Sequence, residues 1–381
     1  MKDASRATLA QTRRLVVKLG TNVIMRADGL PALGRLYGIL ESIATVGHQG
    51  KEVLLVTSGA IGLGAQQLGL EHPPVRLAEK QACAAVGQGR LMAIYQEGFA
   101  RLGIVAAQVL LSEYDFSNRR RYLNLRATLD HLLKLGVVPI INENDTVSTV
   151  ELEERLGFRT APVFGDNDKL SALVASGMTA DTLLILSDVA GLYTGNPHKD
   201  PKARLIPQVQ ELTPEIEGFA DGLSSRGRGG MASKLAAVRV ATQAGTRVLI
   251  ADGACPGILD QVLSGQEVGT LFEPGRRIKG RKRWVAFAGQ LAGRIRVNAG
   301  AQDALLAGQA SLLAAGVVAL EGDFERDDVV AIADEQGHDF ARGVATMART
   351  EADQDLDPER AEAPGNGRVL VSRDTFVLME Q

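Results

Sequence analysis

The sequence predicts an α/β protein, an open and mostly parallel sheet sandwiched by helices, followed by a small β-rich C-terminal domain. Three observations predict it. Short, β-branched apolar runs alternate with longer segments of helical periodicity through roughly the first two thirds of the chain. Each apolar run is followed at once by small and polar residues of a functional kind. The texture then changes near Glu273 into a basic, Pro- and Gly-containing stretch and a series of short strand-like pieces.

The apolar runs are Leu15 to Leu19, Val53 to Val56, Val137 to Ile141, Leu183 to Leu186 and Val248 to Ile250. Their lack of polar alternation predicts strands covered on both faces, as in a parallel sheet with helices above and below. Helical periodicity marks Leu33 to Val46, Leu123 to Leu135 and Leu235 to Ala244. The clusters after the runs are Gly20-Thr21-Asn22, Thr57-Ser58-Gly59-Ala60, Asn142-Glu143-Asn144-Asp145 and Ser187-Asp188. Ligands of open α/β sheets bind at the carboxyl ends of the strands, so these four clusters are expected to meet in one crevice.

The chain has 381 residues, more than one core usually serves, so two domains are expected. The expected division is residues 1–274 for the catalytic domain, 275–282 for a linker and 283–381 for the β domain. The stretch Glu273 to Arg283 holds Pro, two Gly and six basic residues and reads as a solvated connector. Beyond it, Arg294 to Val297, Gly316 to Leu320, Asp328 to Ala333 and Arg368 to Val371 read as strands of a small barrel or sandwich, divided by turns at Glu321-Gly322-Asp323 and Glu335-Gln336-Gly337. The acidic stretch Glu351 to Asn366 reads as a mobile loop.

The formal net charge is −3, which argues against a dedicated nucleic-acid binder. Two cysteines, Cys83 and Cys255, make no disulfide framework and no metal-ligand spacing. The N-terminus lacks the layout of a signal peptide, and no run of about 18 apolar residues occurs, so a cytoplasmic protein without a membrane span is expected.

Phosphate handling needs a device other than a Walker loop, since no G-x-x-x-x-G-K-[ST] is present. Gly20, the stretch Gly59 to Gly64 and the stretch Gly227 to Lys234 could bring backbone N–H groups to an anion, and each could equally be a tight turn. Two lysines stand out. Lys18 lies inside the first strand run, where a buried ammonium costs several kcal/mol unless it meets an anion, on the order of known ion penalties. Lys234 opens a helix, an end that favours anions, so it makes sense if a phosphate binds there too. Asp168 also opens a helix and could be its N-cap, although Asp166 fits the cap better.

The blocks Val17-Lys18-Leu19-Gly20-Thr21, Val56 to Ile61, Pro139 to Asp145, Gly165-Asp166-Asn167-Asp168, Gly191-Leu192-Tyr193-Thr194 and Gly229 to Lys234 resemble the amino acid kinase family. The resemblance runs from about Arg14 to Leu271. The Asn-Glu-Asn-Asp and Gly-Asp-Asn-Asp blocks are similar to the branch that phosphorylates glutamate, and the tail from Arg283-Trp284 resembles a PUA domain. The resemblance implies the amino acid kinase fold and an ATP-dependent phosphorylation of the L-glutamate side-chain carboxylate to γ-glutamyl 5-phosphate, at the head of proline biosynthesis. It implies that Lys18 and Lys234 neutralise the transferred phosphoryl group while Asp168 orients both. Ser58, Asp145 and Asn167 would hold the amino acid, with Asp145 on its ammonium unless that residue merely forms an Asx turn. Lys18, Gly20, Ser187, Asp188, Arg228, Gly229, Gly230, Met231, Ala232, Ser233 and Lys234 would hold ATP. Magnesium would bridge the phosphates, with no residue assigned as its ligand.

Further implications are a homo-oligomer (dimer or tetramer), feedback by proline, and a glutamyl phosphate reductase to consume the product. Two departures from the family's pattern stand out: Arg228 in the glycine loop, and a longer Ser148 to Val163 segment. Two other functions are weighed against this one. A sister kinase would act on N-acetylglutamate, aspartate, carbamate or a nucleotide. An RNA-binding protein would act through the C-terminal domain, supported by the basic run Arg276 to Arg283 and opposed by its few aromatics.

Overall fold

A computed structural model describes residues 4–112, 114–146, 167–197, 199–220, 230–275, 284–285, 291–308, 310–355 and 368–379. The chain divides into two compact units. One holds residues 1–112 and 128–277, and the other 113–127 and 278–381.

The first unit is built on eight strands: β1 (Arg14–Leu19), β2 (Glu52–Thr57), β3 (Ala106–Leu111), β4 (Val138–Glu143), β5 (Thr182–Ser187), β6 (Gln208–Val209), β7 (Arg247–Asp252) and β8 (Thr270–Phe272), in the order β3-β4-β2-β1-β5-β7-β8-β6. The first six in that order run parallel; β8 is antiparallel to β7. Register brings the carboxyl ends to one edge. Leu19 lies opposite Thr57, Lys18 opposite Ile185, and Val56 opposite Ile141.

Each of the five apolar runs forms a strand whose ends differ from the run's by at most two residues. β3 escapes an apolar-run search because it is the sheet's edge: its sequence AAQVLL leaves Gln108 and Leu110 exposed. β6 and β8 have two and three residues, too few to show a period.

Side chains alternate across the sheet, and the two faces differ in use. Leu15, Val17 and Leu19 join a core with the helices Leu33–His48, Leu77–Arg101 and Ile258–Leu263. Lys18 therefore points to the other face, where the helices Asn167–Gly177 and Met231–Gln243 lie. On the core side, the helix Ala60–Gln67 presses against the Leu77–Arg101 helix through glycines. A Cβ at Gly64 would overlap the Cys83 carbonyl, and one at Gly87 would overlap the Ala60 carbonyl and the Gly64 nitrogen. Cys83 is buried at this contact, whereas Cys255 is half-buried.

The second unit carries a six-stranded sheet of β9 (Gly293–Val297), β10 (Leu312–Leu313), β11 (Val317–Gly322), β12 (Val329–Ala333), β13 (Asp339–Ala345) and β14 (Val369–Leu378), ordered β10-β14-β13-β12-β9-β11. All pairs are antiparallel except β12 with β9. Its core includes Ile295, Phe324, Val330, Ile332, Phe340 and Leu370. Trp284 belongs here: its Nε1 donates to the Phe116 carbonyl at 2.7 Å, and its ring stacks on Tyr122 at 5.9 Å between centroids.

One expectation is corrected. The stretch expected to be a loop from Glu351 onward begins inside a helix, Arg349–Asp355. Its anchors are Ala352, fully buried but too small to mark a hydrophobic period, and an Arg349–Asp353 ion pair at 3.3 Å. The rest of that stretch, 356–366, lies outside the described residues, as do 276–283 of the connector.

The glycine contact makes a measurable demand. Gly87→Ala forces the two helices apart and is expected to cost about 1–3 kcal/mol, the range for overpacked cores. Urea unfolding reads it; a variant as stable as the parent would mean that the helices do not approach this closely.

Candidate active site

Lys18 is the fifth residue of β1, one position before the strand ends, and is almost fully buried. Asp168 and Lys234 sit in the first turns of their helices, on the same face of the sheet. Lys18 Nζ lies 2.6 Å from Asp168 Oδ1 and Lys234 Nζ lies 3.2 Å from Asp168 Oδ2. The three side chains are 4%, 6% and 0% exposed for Lys18, Lys234 and Asp168. Burial pushes the Asp168 carboxyl up, but the charges and hydrogen bonds of Lys18 and Lys234 outweigh it and hold it below the ordinary carboxylate value. It is thus ionised at neutral pH, and the cluster itself carries two positive charges on one negative.

A helix N-terminus and a glycine lie next to the cluster. Gly230 is the N-cap of the helix that starts at Met231, so the N–H groups of Met231, Ala232 and Ser233 precede the first helical hydrogen bonds. That bond runs from the Lys234 N–H to the Gly230 carbonyl at 3.3 Å. The helix opens four residues earlier than its apolar periodicity suggested, which puts Lys234 inside its first turn. Gly20 follows β1, and a Cβ there would lie 3.7 Å from Lys18 Nζ and 3.4 Å from the Leu186 carbonyl. Arg228 and Gly229 lie outside the described residues, as do Asp166 and the Ser148 to Val163 segment.

Beyond β5, Ser187 Oγ donates to Asp188 Oδ1 at 3.0 Å and Asn22 Nδ2 donates to Asp188 Oδ2 at 2.7 Å. Burial raises the Asp188 pKa, yet these bonds and the Lys234 charge bring it below its ordinary value. Asp188 is therefore a second anion within reach of the Lys234 charge.

The amino-acid candidates form a polar chain. Asn167 Nδ2 donates to Ser58 Oγ and to Asn142 Oδ1, both at 3.1 Å. Asn142 Nδ2 donates in turn to Gln88 Oε1 at 2.8 Å. Asp145 is half-buried in the turn after β4, three residues beyond Asn142. Ser58 is positioned from below: Thr57 Oγ1 and the Tyr95 hydroxyl share a buried hydrogen bond of 2.6 Å, and burial pushes that phenol's pKa up. Gly59 has φ +96°, a conformation that glycine adopts without strain, and turns the chain into the helix Ala60–Gln67.

The structure thus brings Lys18, Asp168 and Lys234 together, and separately Ser58 and Asn167. Asn142, Gln88, Tyr95 and Asn22 carry no role in the sequence reading. Asn142 and Asn22 stand in the polar clusters after strands and were within reach of it. Gln88 and Tyr95 lie mid-helix, where nothing in sequence separates them from surface and core residues.

Residues 13–252 match the amino acid kinase family and residues 293–354 match the PUA domain. The chain belongs to the amino acid kinase family. Among curated relatives, a glutamate 5-kinase from Moorella thermoacetica is 47% identical over 342 residues, 89% of this chain and 88% of the relative. One from Myxococcus xanthus is 46% identical over 351 residues, 92% of this chain and 90% of the relative. A solved isopentenyl phosphate kinase covers 68% of this chain and 99% of its own, with 20% identity and a TM-score of 0.47. Among the described residues no helix is long and apolar enough to cross a membrane.

Removing the carboxylate tests the cluster. Asp168→Asn leaves two buried ammonium groups without it and is expected to destabilise the protein by about 3–5 kcal/mol at neutral pH, as for other broken buried pairs. Because the folded-state pKa is depressed, this stability is present above the unfolded value of about 3.9 and is lost as pH falls through the folded one. Urea unfolding of parent and variant should therefore converge in strong acid. A variant within about 1 kcal/mol of the parent at neutral pH would contradict a buried charge cluster.

Proposed function

We infer that this chain transfers the terminal phosphoryl group of ATP to the side-chain carboxylate of L-glutamate, giving γ-glutamyl 5-phosphate and ADP, the first step of proline biosynthesis. The observation that carries the reading is the buried Lys18–Asp168–Lys234 cluster at the carboxyl end of β1. The relatives that are glutamate 5-kinases supply the acceptor's identity.

The chemistry follows from charge. A glutamate carboxylate oxygen attacks the γ-phosphorus as the bond from that phosphorus to the bridging oxygen breaks; no proton moves. The acceptor is already ionised at neutral pH, so the step needs positioning and charge neutralisation more than a general base. Lys18 and Lys234 neutralise the equatorial oxygens of the phosphoryl group in transit. Asp168 keeps the two ammonium groups on one carboxylate and so fixes their separation. The N–H groups of Met231, Ala232 and Ser233 and the positive end of their helix receive the nucleotide's phosphates, with Gly20 and Gly230 beside them and Ser187 and Asp188 on the nucleotide side, while the family resemblance assigns Arg228 and Gly229 to ATP as well.

ATP is the co-substrate and Mg²⁺ its counter-ion. Among the described residues no group of three or more His, Cys, Asp or Glu side chains could cage a metal. Magnesium commonly keeps its waters and binds through phosphates with one or two carboxylates, and Asp188 is the ionised carboxylate at hand. It would supply further charge neutralisation on the phosphates.

The amino acid is held by Ser58, Asn167 and Asp145. Asp145 takes the α-ammonium, the group that N-acetylglutamate lacks as a cation, so this residue separates the reading from that of a sister kinase. The product is an acyl phosphate and hydrolyses readily, so a reductase that consumes glutamyl phosphate belongs downstream. Residues 1–274, apart from 113–127 which pack in the second unit, form the catalytic domain, with 275–282 the connector and 283–381 the PUA-like domain. Action in the cytoplasm, feedback by proline, a dimeric or tetrameric assembly and nucleic-acid contact through the PUA domain rest on the family resemblance.

Two experiments test the assignment. Purified protein with ATP, magnesium and glutamate, with hydroxylamine to trap the acyl phosphate, should release ADP and yield the hydroxamate. In that assay Lys18→Ala or Lys234→Ala should lower kcat by roughly 10²–10⁴-fold, since each removes a charge aimed at the transition state. A variant with near-normal kcat would take that lysine out of the mechanism.

Asp145→Asn keeps the side chain's shape and removes its charge. It should raise KM for glutamate roughly ten- to a hundredfold, the scale of a hydrogen bond to a charged group, and leave KM for ATP nearly unchanged. Asn also forms Asx turns, so a glutamate KM within about twofold of the parent would leave Asp145 only as a turn former.

A further inference from the structure

The polar chain that ends on Ser58 has a direction. Both hydrogens of Asn167 Nδ2 are committed, one to Ser58 Oγ and one to Asn142 Oδ1. Asn167 Oδ1 therefore faces away from the chain, and it is buried with no hydrogen-bond partner among the described residues. Asn142 is oriented likewise, its carbonyl toward Asn167 and its amide nitrogen toward Gln88 Oε1. If every amide were turned over, the same contacts would form in reverse, and Asn167 would present two N–H donors outward instead of one carbonyl.

The Ser58 end cannot choose between these states, because a hydroxyl donates and accepts equally well. At the other end Gln88 is itself an amide, and in the direction the structure adopts it is the acceptor. Gln88 Oε1 accepts from Asn142, and Gln88 Nε2 is buried without a partner among the described residues. Gln88 is held there by its backbone: its neighbour Gly87 has no room for a Cβ against the Ala60 carbonyl, and Tyr95, about two turns further along the same helix, is tied to Thr57. One helix thus supports the acceptor side of the site at two points, beneath Ser58 and behind Asn142.

We propose that Gln88 is a positioning residue for acceptor selectivity: by accepting from Asn142 it sets the direction of the Gln88–Asn142–Asn167 relay and turns the Asn167 carbonyl outward as an acceptor for the α-ammonium of the amino acid. The proposal rests on the glutamate kinase reading above. A buried, unmade acceptor is costly, and an ammonium satisfies it together with the Asp145 carboxylate. An acceptor molecule without the ammonium leaves the carbonyl unsatisfied, so the relay discriminates against it in the way that unpaired buried groups do.

The test compares glutamate with glutarate, which has the same carboxylates and no ammonium, in the parent, in Gln88→Met and in Gln88→Glu. Methionine fills a similar volume and accepts no strong hydrogen bond. Glutamate at position 88 can only accept when ionised, so it locks the present direction. The relay predicts that Gln88→Met lowers the ratio of kcat/KM for glutamate over glutarate by about tenfold, through KM for glutamate, the scale of one hydrogen bond to a charged group. Gln88→Glu should keep the ratio at or above the parent's, and KM for ATP should stay within about twofold in both.

A Gln88→Met ratio within twofold of the parent's overturns the relay and leaves the activity standing. Equal losses in both variants also overturn it, since Gln88 would then only fill space. Should Gln88→Met not fold, Gln88→Glu carries the test alone, a fall in its ratio refuting the proposal and a maintained one supporting it. A parent that phosphorylates no glutamate refutes the activity reading, and the relay's role falls with it.

Discussion

Asp168 held between two buried ammonium groups is the interaction on which the rest of the site depends. Two lysines in a nearly dry place would repel each other and lose their hydration; one carboxylate with an oxygen for each makes the arrangement tenable. The same arrangement is the chemical instrument. The carboxylate offsets only one of the cluster's two charges, which leaves attraction for an anion, and a phosphoryl group in transit is the anion the neighbouring helix N-terminus suits.

The architecture can be understood as the means of meeting that requirement. Lys18 reaches the cluster because strand alternation turns it away from the core that takes Leu15, Val17 and Leu19. Asp168 and Lys234 reach it because two helices start over the same strand ends. Parallel pairing of β4, β2, β1, β5 and β7 puts every strand's carboxyl end at one edge, so the phosphate-handling and amino-acid-holding groups share it. The opposite face is mainly apolar, with the Thr57–Tyr95 hydrogen bond inside it, and its close glycine packing fixes the helix that carries Gln88 and Tyr95.

Much of this was legible along the chain. Five strands on both sides of the site announced themselves because strands buried on both faces need continuous apolar runs. Lys18 stood out because an ammonium inside such a run needs an anion, and Lys234 because a helix N-terminus repels a cation unless an anion is present. What escaped had physical reasons. The edge strand β3 keeps Gln108 in solvent, so it shows no uninterrupted apolar run. The helix Arg349–Asp355 buries only an alanine, which leaves no period to read.

The sequence by itself determined the layered α/β class, the family, and which charged residues had to meet an anion, because these follow from local pattern and from the cost of burying charge. Only the tertiary structure decided that both lysines share the two oxygens of one aspartate. It also decided that Asn167 turns its nitrogen to Ser58 and Asn142, and that Gln88, in the middle of a helix some fifty residues upstream of Asn142, stands at the far end of that chain. The reason is that hydrogen-bond direction and the sharing of a carboxylate are properties of groups brought together by folding. No spacing along the chain encodes which atom of an amide faces its neighbour.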